Sequence, residues 1–574
     1  MPVSQKNTGL IENLVTQFSS PLDCFRELAQ NAMDAGSQVV EVWSEFIPGD
    51  DYIGTIALHV DDFGEGMDEH IIDTYLTQLF SSAKEDDLTK IGKFGIGFVS
   101  VFALEPRAVL VQTGRGGEYW EVLFHEDRTF TKTRVQMPVE GTQITLFLAG
   151  DIQRYNELVQ GTRERLKFWC AHSETEITFE DRSQNTDAFA EPERINQPFG
   201  VEGSCVTRVE HQGTEIVCAY QRRPSYGFYN AGLTLAYSQI GEDLLGARAA
   251  RFRHIGFKIK SRYLEHTLSR DTIMRDANYD KAMRLLEDAV NQDLFGALVA
   301  QLESLVAEDG WAFEQMQAYG ELCNYLAREP AELLKSIGGR RVIRGLNGSA
   351  LSLDELYDAW ADSGRVLVSE QPSELCAALE RAGSLVVYGR GEGGTAAASP
   401  LDAVNRLVDR FVRLRYRDTL GSKIRSALKV FGVSNATPSV LVAPEDIYLP
   451  VVLDASPPEV VRGLIAHASR ILRDAGAGYR RMTTCQIGWS AGDEQLFVVG
   501  NKLSSFMARP PVGAARGTRS LEAAVNRDHP HFTYLLEVYQ SQPELAAYCL
   551  AKSLLLSQDR LPSCDMSMIE AAQA

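Results

Sequence analysis

The sequence predicts a mixed α/β (α+β) protein of several domains, and three observations carry that expectation. The chain has 574 residues, 44% of them apolar, enough for about three or four ordinary cores. Strand-like alternating runs such as Thr55–Val60 are interspersed with stretches of helical spacing such as Pro458–Ala475. Near the amino terminus, short glycine-containing motifs stand where one kind of element gives way to another.

Composition narrows the function. The formal net charge is −20, which argues against binding along nucleic acid, where many phosphates must be neutralised by Lys and Arg. The nine cysteines are scattered, with no CxxC pair. That usage fits a reducing cytoplasm and argues against a disulfide framework or a zinc site. Met1–Asn7 lacks a basic region followed by an apolar one, so no signal peptide is expected. No apolar run is long enough for a bilayer. A soluble cytoplasmic protein with no membrane partner is the expectation.

The first motif reads Glu27-Leu-Ala-Gln-Asn31-Ala-Met-Asp34-Ala. Ser20-Pro21-Leu22-Asp23 before it is a helix start, with a capping Ser, Pro in the first turn and an acid at the positive end of the dipole. The helix runs through Met33 to Gly36, where glycine can end it. Glu27, Asn31 and Asp34 stand at i, i+4 and i+7, on one face, with Leu28, Ala29, Ala32 and Ala35 on others. A nucleoside triphosphate needs Mg²⁺, which takes hard oxygen ligands. Asn31 supplies one without adding charge against phosphates, and Glu27 can orient or deprotonate a water. A solvated polar helix face has the same spacing.

The second motif, Asp62-Phe-Gly-Glu-Gly66-Met67, follows the predicted strand Thr55–Val60. Asp62 just past a strand end can accept a hydrogen bond from an exocyclic amine such as that of adenine. Gly64 and Gly66 allow close backbone approach, and Met67 can pack on a flat base. An ordinary Asp-Gly turn reads the same in isolation. The third motif, Gly92-Lys-Phe94-Gly95-Ile96-Gly97-Phe98-Val-Ser100, leads into the apolar segment Phe98–Leu104. Backbone N–H groups at such a helix start cradle phosphates. It lacks the Walker Gly-Lys-[Ser/Thr] ending and the context of a dinucleotide fingerprint. Between motifs two and three, Gln78–Ile91 is polar and charged (Ser81-Ser82-Ala83-Lys84-Glu85-Asp86-Asp87). It is either a solvated loop or a lid that brings Lys84 to a phosphate. A fourth element, Gly141-Thr142-Gln-Ile-Thr-Leu-Phe-Leu, alternates as a strand, with the Thr142 hydroxyl at its entry.

This order of motifs resembles the GHKL ATPase superfamily of gyrase, heat-shock protein 90, histidine kinase and MutL. Phe25-Arg26-Glu27-Leu28, Gly92–Ser100 and Gly141-Thr142 are most similar to heat-shock protein 90 of the bacterial type. The resemblance implies a Bergerat-type ATPase sandwich, a layer of helices on a mixed sheet, with ATP and Mg²⁺ as ligands. It implies Glu27 as general base, Asn31 as Mg²⁺ ligand, and Asp62 reading adenine with help from Gly66, Met67 and Thr142. It places Gly95, Ile96, Gly97 and Phe98 at the phosphates. Gln78 occupies the place where the family often has an Asn near the ribose and phosphates.

More weakly, His266-Thr-Leu-Ser269-Arg270-Asp271-Thr-Ile-Met274 resembles the family's middle-domain segment LxxSRExLQ. That makes Arg270 the candidate for an arginine reaching the γ-phosphate when the clamp closes. Met274 departs from the usual Gln, and Arg248, Arg251, Arg253, Lys258, Lys260 and Arg262 nearby fit a basic surface segment equally. Val525-Asn526-Arg527-Asp528-His529-Pro530 resembles the stretch before the family's last helices. His529 and His531 lack the companions of a metal pair, and a structural turn is expected.

The domain expectation is 1–185 for the ATPase domain, 195–330 and 331–400 for a large and a small middle subdomain, and 401–574 for a carboxy-terminal dimerisation domain. Within it, Ser183–Pro198 reads as a loop, Ser204–Ile259 as strand-rich, and Tyr279–Ala307 and Trp311–Ala327 as helices. GRGEGGTAAASP at 389–400 and ARPPVGAARGTRS at 508–520 read as flexible. Pro543–Leu556 is so apolar that it must bury a face, against a partner subunit or within its own domain.

The leading expectation is an ATP-driven homodimeric chaperone resembling bacterial heat-shock protein 90, acting on client proteins. The lid is shorter than is usual there. The chain ends Met568-Ile-Glu-Ala-Ala-Gln-Ala574, without an acidic tail for co-chaperones, which suggests a divergent paralogue. The alternatives are a GHKL ATPase of a DNA transaction (MutL, topoisomerase or MORC kind) and a nucleotide-binding scaffold with negligible turnover.

Overall fold

The computed structural model describes residues 20–49, 53–78, 97–183, 191–267, 272–390, 399–417, 440–487, 495–500, 502–503, 506–508, 521–557 and 565–573. The chain divides into two compact units, Met1–Ala297 and Leu298–Ala574.

The first unit opens with helix α1 (Cys24–Asp34), preceded by a 3-10 turn at Pro21–Asp23. The strands are β1 (Val39–Ile47), β2 (Gly54–Asp62), β3 (Ala108–Arg115), β4 (Glu118–His125), β5 (Phe130–Arg134) and β6 (Thr142–Gly150). After helix α2 (Ile152–Cys170) come β7 (Glu176–Asp181) and β8 (Glu193–Arg194). They form an eight-stranded sheet in the order β5-β4-β3-β6-β2-β1-β7-β8. Every neighbouring pair is antiparallel except β1 with β7, which makes the sheet mixed. Alternate residues of the strands, Val40 and Val42, Ile56 and Leu58, Val109 and Val111, Leu146 and Leu148, point to one face. There they form one core with Phe25, Leu28 and Ala32 of α1 and Tyr155, Val159 and Leu166 of α2. This helix layer on a mixed sheet is the expected α/β architecture.

The start of α1 is anchored to α2. The Asp23 carboxylate accepts from the Ser20 N–H at 3.1 Å and from Trp169 Nε1 at 2.8 Å. The Arg26 guanidinium lies over the Trp169 ring at 4.6 Å. At the other end Gly36 takes φ +77°, the left-handed turn that releases the chain from the helix. Strand β2 outruns the predicted Thr55–Val60, so Asp62 is its last residue rather than a residue just past its end. Ser183–Pro198, read as a loop, contains β8. Two residues pairing at a sheet edge leave no periodic signal, and their pairing depends on β7 being in place.

A second sheet follows in the same unit, built from β9 (Ser204–His211), β10 (Thr214–Tyr220), β11 (Tyr226–Asn230), β12 (Leu233–Ser238) and β13 (Ile255–Ser261). Its order is β12-β11-β13-β10-β9. Helix α3 (Ala277–Ala289) comes next. The stretch read as one helix to Ala307 is interrupted by a π turn at Val290–Leu294 before Phe295–Ala307.

The second unit holds the helices Phe313–Leu326 and Asp402–Arg417 and a small parallel sheet of Val386–Tyr388, Val366–Ser369 and Leu441–Val442. A five-stranded sheet runs in the order Phe497–Gly500, Leu521–Asn526, Tyr479–Ile487, Tyr448–Leu453, Phe506–Ala508. On it sits a helical core. Leu550, Leu554 and Leu555 of helix Pro543–Leu556 are fully buried with Leu464, Ile471 and Leu472 of Glu459–Asp474 and Phe532 of Pro530–Ser541. This part of the helix's apolar side is covered within its own unit, while Leu545 and Leu556 stay exposed. His529 caps the helix Pro530–Ser541, its Nδ1 accepting from the His531 N–H at 3.1 Å, as expected for a turn. Among the described residues no helix is long and apolar enough to cross a membrane.

Candidate nucleotide site

Helix α1 crosses the sheet beside the ends of β2, β3 and β6, and a cavity of about 660 Å³ opens between them. From α1 come Leu28, Asn31, Asp34 and Ala35. Leu28 and Ala35, assigned to other faces by spacing, share this wall because the cavity spans more than one helical row. The sheet supplies the apolar floor, Val60, Val111 and Ile144, and the polar strand-end residues Asp62 and Thr142. The motif loop adds Glu65, Gly66 and Met67, and the helical segment Glu69–Leu76 adds Ile71, Tyr75 and Leu76. Phe98, buried over Phe102 and Phe124, completes the apolar lining.

Asp62 and Thr142 are direct neighbours across β2 and β6. The Asp62 carboxylate accepts from the Gly64 N–H at 2.9 Å. Burial raises its pKa above the ordinary 3.8, against the stabilising N–H donors of Gly64 and Thr142. Gly66 has φ +66°, and a Cβ there would meet the Gly114 carbonyl oxygen at 2.2 Å. Only glycine permits that conformation and that approach together.

Behind this end lies Thr113, fully buried on β3. Its Oγ1 accepts from the Met67 N–H at 2.9 Å, reaches the Gly141 carbonyl at 2.9 Å and stands 3.1 Å from Thr142 Oγ1. At the rim, Asp34 is exposed and accepts from Gln30 Nε2 at 3.0 Å, and Arg115 pairs with Glu65 at 2.7 Å. Lys132 of β5 bonds Glu69 at 3.0 Å and Asp73 at 2.7 Å and lies 4.9 Å from the Trp120 ring centroid. It thus ties the Glu69–Leu76 segment to the sheet edge.

Beside Asn31, Glu27 is 6% exposed. Gly97 packs on both: a Cβ on Gly97 would lie 3.1 Å from Glu27 Oε2 and 3.8 Å from Asn31 Oδ1. Helical residues Gly97–Val99 start here and continue as the 3-10 turn Ser100–Leu104, with Ser100 Oγ donating to the Gly97 carbonyl at 2.6 Å.

The structure thus brings Asn31, Asp34, Asp62, Gly66, Met67, Phe98 and Thr142 to one cavity and sets Glu27 and Gly97 against each other beside it. Gln78 lies past the Glu69–Leu76 segment and is not part of the described cavity wall; Tyr75 and Leu76 of the preceding turn are. Lys84, Gly92, Phe94, Gly95, Ile96 and Arg270 lie outside the described residues. Thr113, Tyr75, Arg115 and Glu65 were not singled out from sequence. Thr113 occupies an inward position of an alternating run, but its partners on two other segments leave no local signal.

The arrangement suits a flat, amine-bearing ring between apolar walls, with its amine at Asp62 and an anionic tail toward Asn31 and Gly97. Residues 21–148 match the family of histidine kinase-, DNA gyrase B- and HSP90-like ATPases. This match supports a GHKL-type, ATP-binding ATPase domain at the amino-terminal end of the chain. No curated protein matches the chain.

Proposed function

We propose that this chain binds ATP with Mg²⁺ in the α1 cavity, hydrolyses it, and uses the cycle to work a homodimeric clamp on client proteins, as heat-shock protein 90 does. The observation that carries the ATPase reading is the convergence of Asn31, Asp62 and Thr142 on one cavity, with Glu27 one helical turn before Asn31 and Gly97 packed against both.

The donor set fits Mg²⁺. Asn31 offers a neutral hard oxygen next to the Glu27 carboxylate. Among the described residues no group of three or more His, Cys, Asp or Glu could hold a metal unaided. A cation here would share its coordination with phosphate oxygens, the usual habit of Mg²⁺. Bound there, it would neutralise charge on the phosphates. Glu27 accepts a proton from the attacking water as the water oxygen bonds to the γ-phosphorus. The bond from that phosphorus to the β–γ bridging oxygen breaks, and ADP leaves with the bonding electrons. Asp62 and Thr142 hold the base meanwhile.

The clamp reading is supported by the Phe25–Leu28 and Gly92–Ser100 motifs and by the net charge of −20, which disfavours a DNA-tracking enzyme. Arg270 is the proposed γ-phosphate arginine. Steady-state hydrolysis by wild type, Glu27→Ala and Arg270→Ala, with and without duplex DNA, tests both levels. Glu27→Ala should lower kcat by about 10²–10⁴-fold with binding kept. Slow, DNA-independent turnover that collapses in Arg270→Ala supports the clamp. Strong DNA stimulation moves the reading to a DNA-transaction ATPase, and no turnover at all to a binding scaffold.

A further inference from the structure

We propose that Thr113, which is not part of the cavity wall, is a positioning residue that sets base selectivity by holding the Met67 loop and directing the Thr142 hydroxyl. This rests on the nucleotide reading above. Three segments meet at one buried oxygen. The Met67 N–H donates to Thr113 Oγ1 at 2.9 Å, Gly141 O lies 2.9 Å away, and Thr142 Oγ1 lies 3.1 Å away.

Counting protons shows what this node can do. A hydroxyl has one proton and two acceptor lone pairs. When Thr113 donates to Gly141 O, its remaining capacity is filled by the Met67 N–H and the Thr142 hydroxyl, and Thr142 then offers the cavity only an acceptor. The Gly141 carbonyl has a second donor, the Gly114 N–H at 3.2 Å. The Thr113 proton can therefore turn to Thr142 Oγ1 without orphaning that carbonyl. In this second state the Thr142 proton is released toward the cavity. Beside the Asp62 carboxylate, the wall then presents one acceptor and one donor. That pair matches an amine next to a ring nitrogen, the edge of adenine. It mismatches a carbonyl next to a ring N–H, the corresponding edge of guanine. A site built to hydrogen-bond such groups discriminates through the groups left unpaired by the wrong ligand.

The test uses the full chain and equilibrium binding of ATP and GTP to wild type, Thr113→Val and Thr113→Ser. Valine keeps the shape and removes the oxygen; serine keeps the oxygen. Thr113→Val is expected to weaken ATP binding about tenfold or more and to narrow the ATP-over-GTP ratio, with Thr113→Ser restoring both. If Thr113→Val does not fold, Thr113→Cys, with similar volume and only a weak acceptor, must show the same narrowing. Unchanged ATP affinity, equal losses for both nucleotides, or failure of serine to rescue would overturn the inference. Absence of ATP binding by wild type would instead overturn the nucleotide reading beneath it.

Discussion

Gly97 rests on Glu27. A Cβ on Gly97 would come within 3.1 Å of the Glu27 carboxylate oxygen, closer than most such contacts, so the helical end of the glycine-rich motif and the proposed general base are mutually positioned. Gly97→Ala should push the Glu27 carboxylate aside by a few tenths of an ångström. Small misplacements of a reacting group cost rate more than binding, so kcat should fall by about tenfold or more, with a smaller change in Kd. A variant with wild-type turnover would show that Glu27 tolerates displacement and argue against its role.

Asp62 gives a pH prediction. Burial raises its pKa above 3.8, so it becomes protonated at a higher pH than an ordinary aspartate. A protonated carboxyl accepts an amine poorly, so nucleotide affinity should fall as pH is lowered through this raised pKa. Asp62→Asn should weaken binding at neutral pH and flatten that limb, measured as Kd between about pH 4 and 7. The stability sign is opposite. A folded pKa above the unfolded one means that the ionised side chain destabilises the empty protein once pH exceeds the raised value. At neutral pH, Asp62→Asn should raise Tm while weakening ATP binding.

Lys132 holds a cavity wall from outside. Its bonds to Glu69 and Asp73, four residues apart, clasp the segment that carries Ile71, Tyr75 and Leu76. The two carboxylates are more than half exposed, so each pair contributes only about 0.2–1 kcal/mol. Lys132→Met should speed nucleotide dissociation by about 3–10-fold, and wild-type dissociation should quicken with salt. Stopped-flow release of a fluorescent nucleotide measures both; a variant with wild-type release at low salt would exclude the clasp.

His172 couples the ATPase sheet to the second sheet. Its Nδ1 lies 3.1 Å from the Gln197 carbonyl and its Nε2 lies 2.7 Å from Lys258 Nζ. Nδ1 must therefore carry the proton and Nε2 accept from the lysine, which requires neutral His172. Burial, then the Lys258 and Lys260 charges, lower its pKa, against the Gln197 bond. With a folded pKa below the unfolded 6.5, stability is full above about pH 6.5 and declines as pH falls through that value. Tm of the wild type should drop between about pH 7.5 and 5.5, and His172→Gln should show a shallower drop.

Much of the site was legible because its chemistry is written in short local motifs. Helical spacing placed Asn31 and Asp34 on the cavity side of α1, and strand alternation placed Thr142 at a strand entry. Thr113 was not legible, since its meaning comes from Met67 and Gly141, 46 and 28 residues away. Tyr75 and Leu76, which line the cavity from the turn at Ile72–Leu76, were not legible either, since no short motif marks them.

The sequence by itself determined the mixed α/β character, the helix that bears Glu27 and Asn31, and the chemical kinds of group available to a nucleotide. Side-chain periodicity and motif order act over a few residues, so they survive without the fold. Only the tertiary structure decided that Asp62, Thr142 and Thr113 meet at one end of a cavity, that β8 extends the sheet, and that Leu550, Leu554 and Leu555 of helix Pro543–Leu556 are buried within their own unit. Those outcomes depend on strand register and on which apolar faces find each other, relations between distant segments that no local pattern encodes.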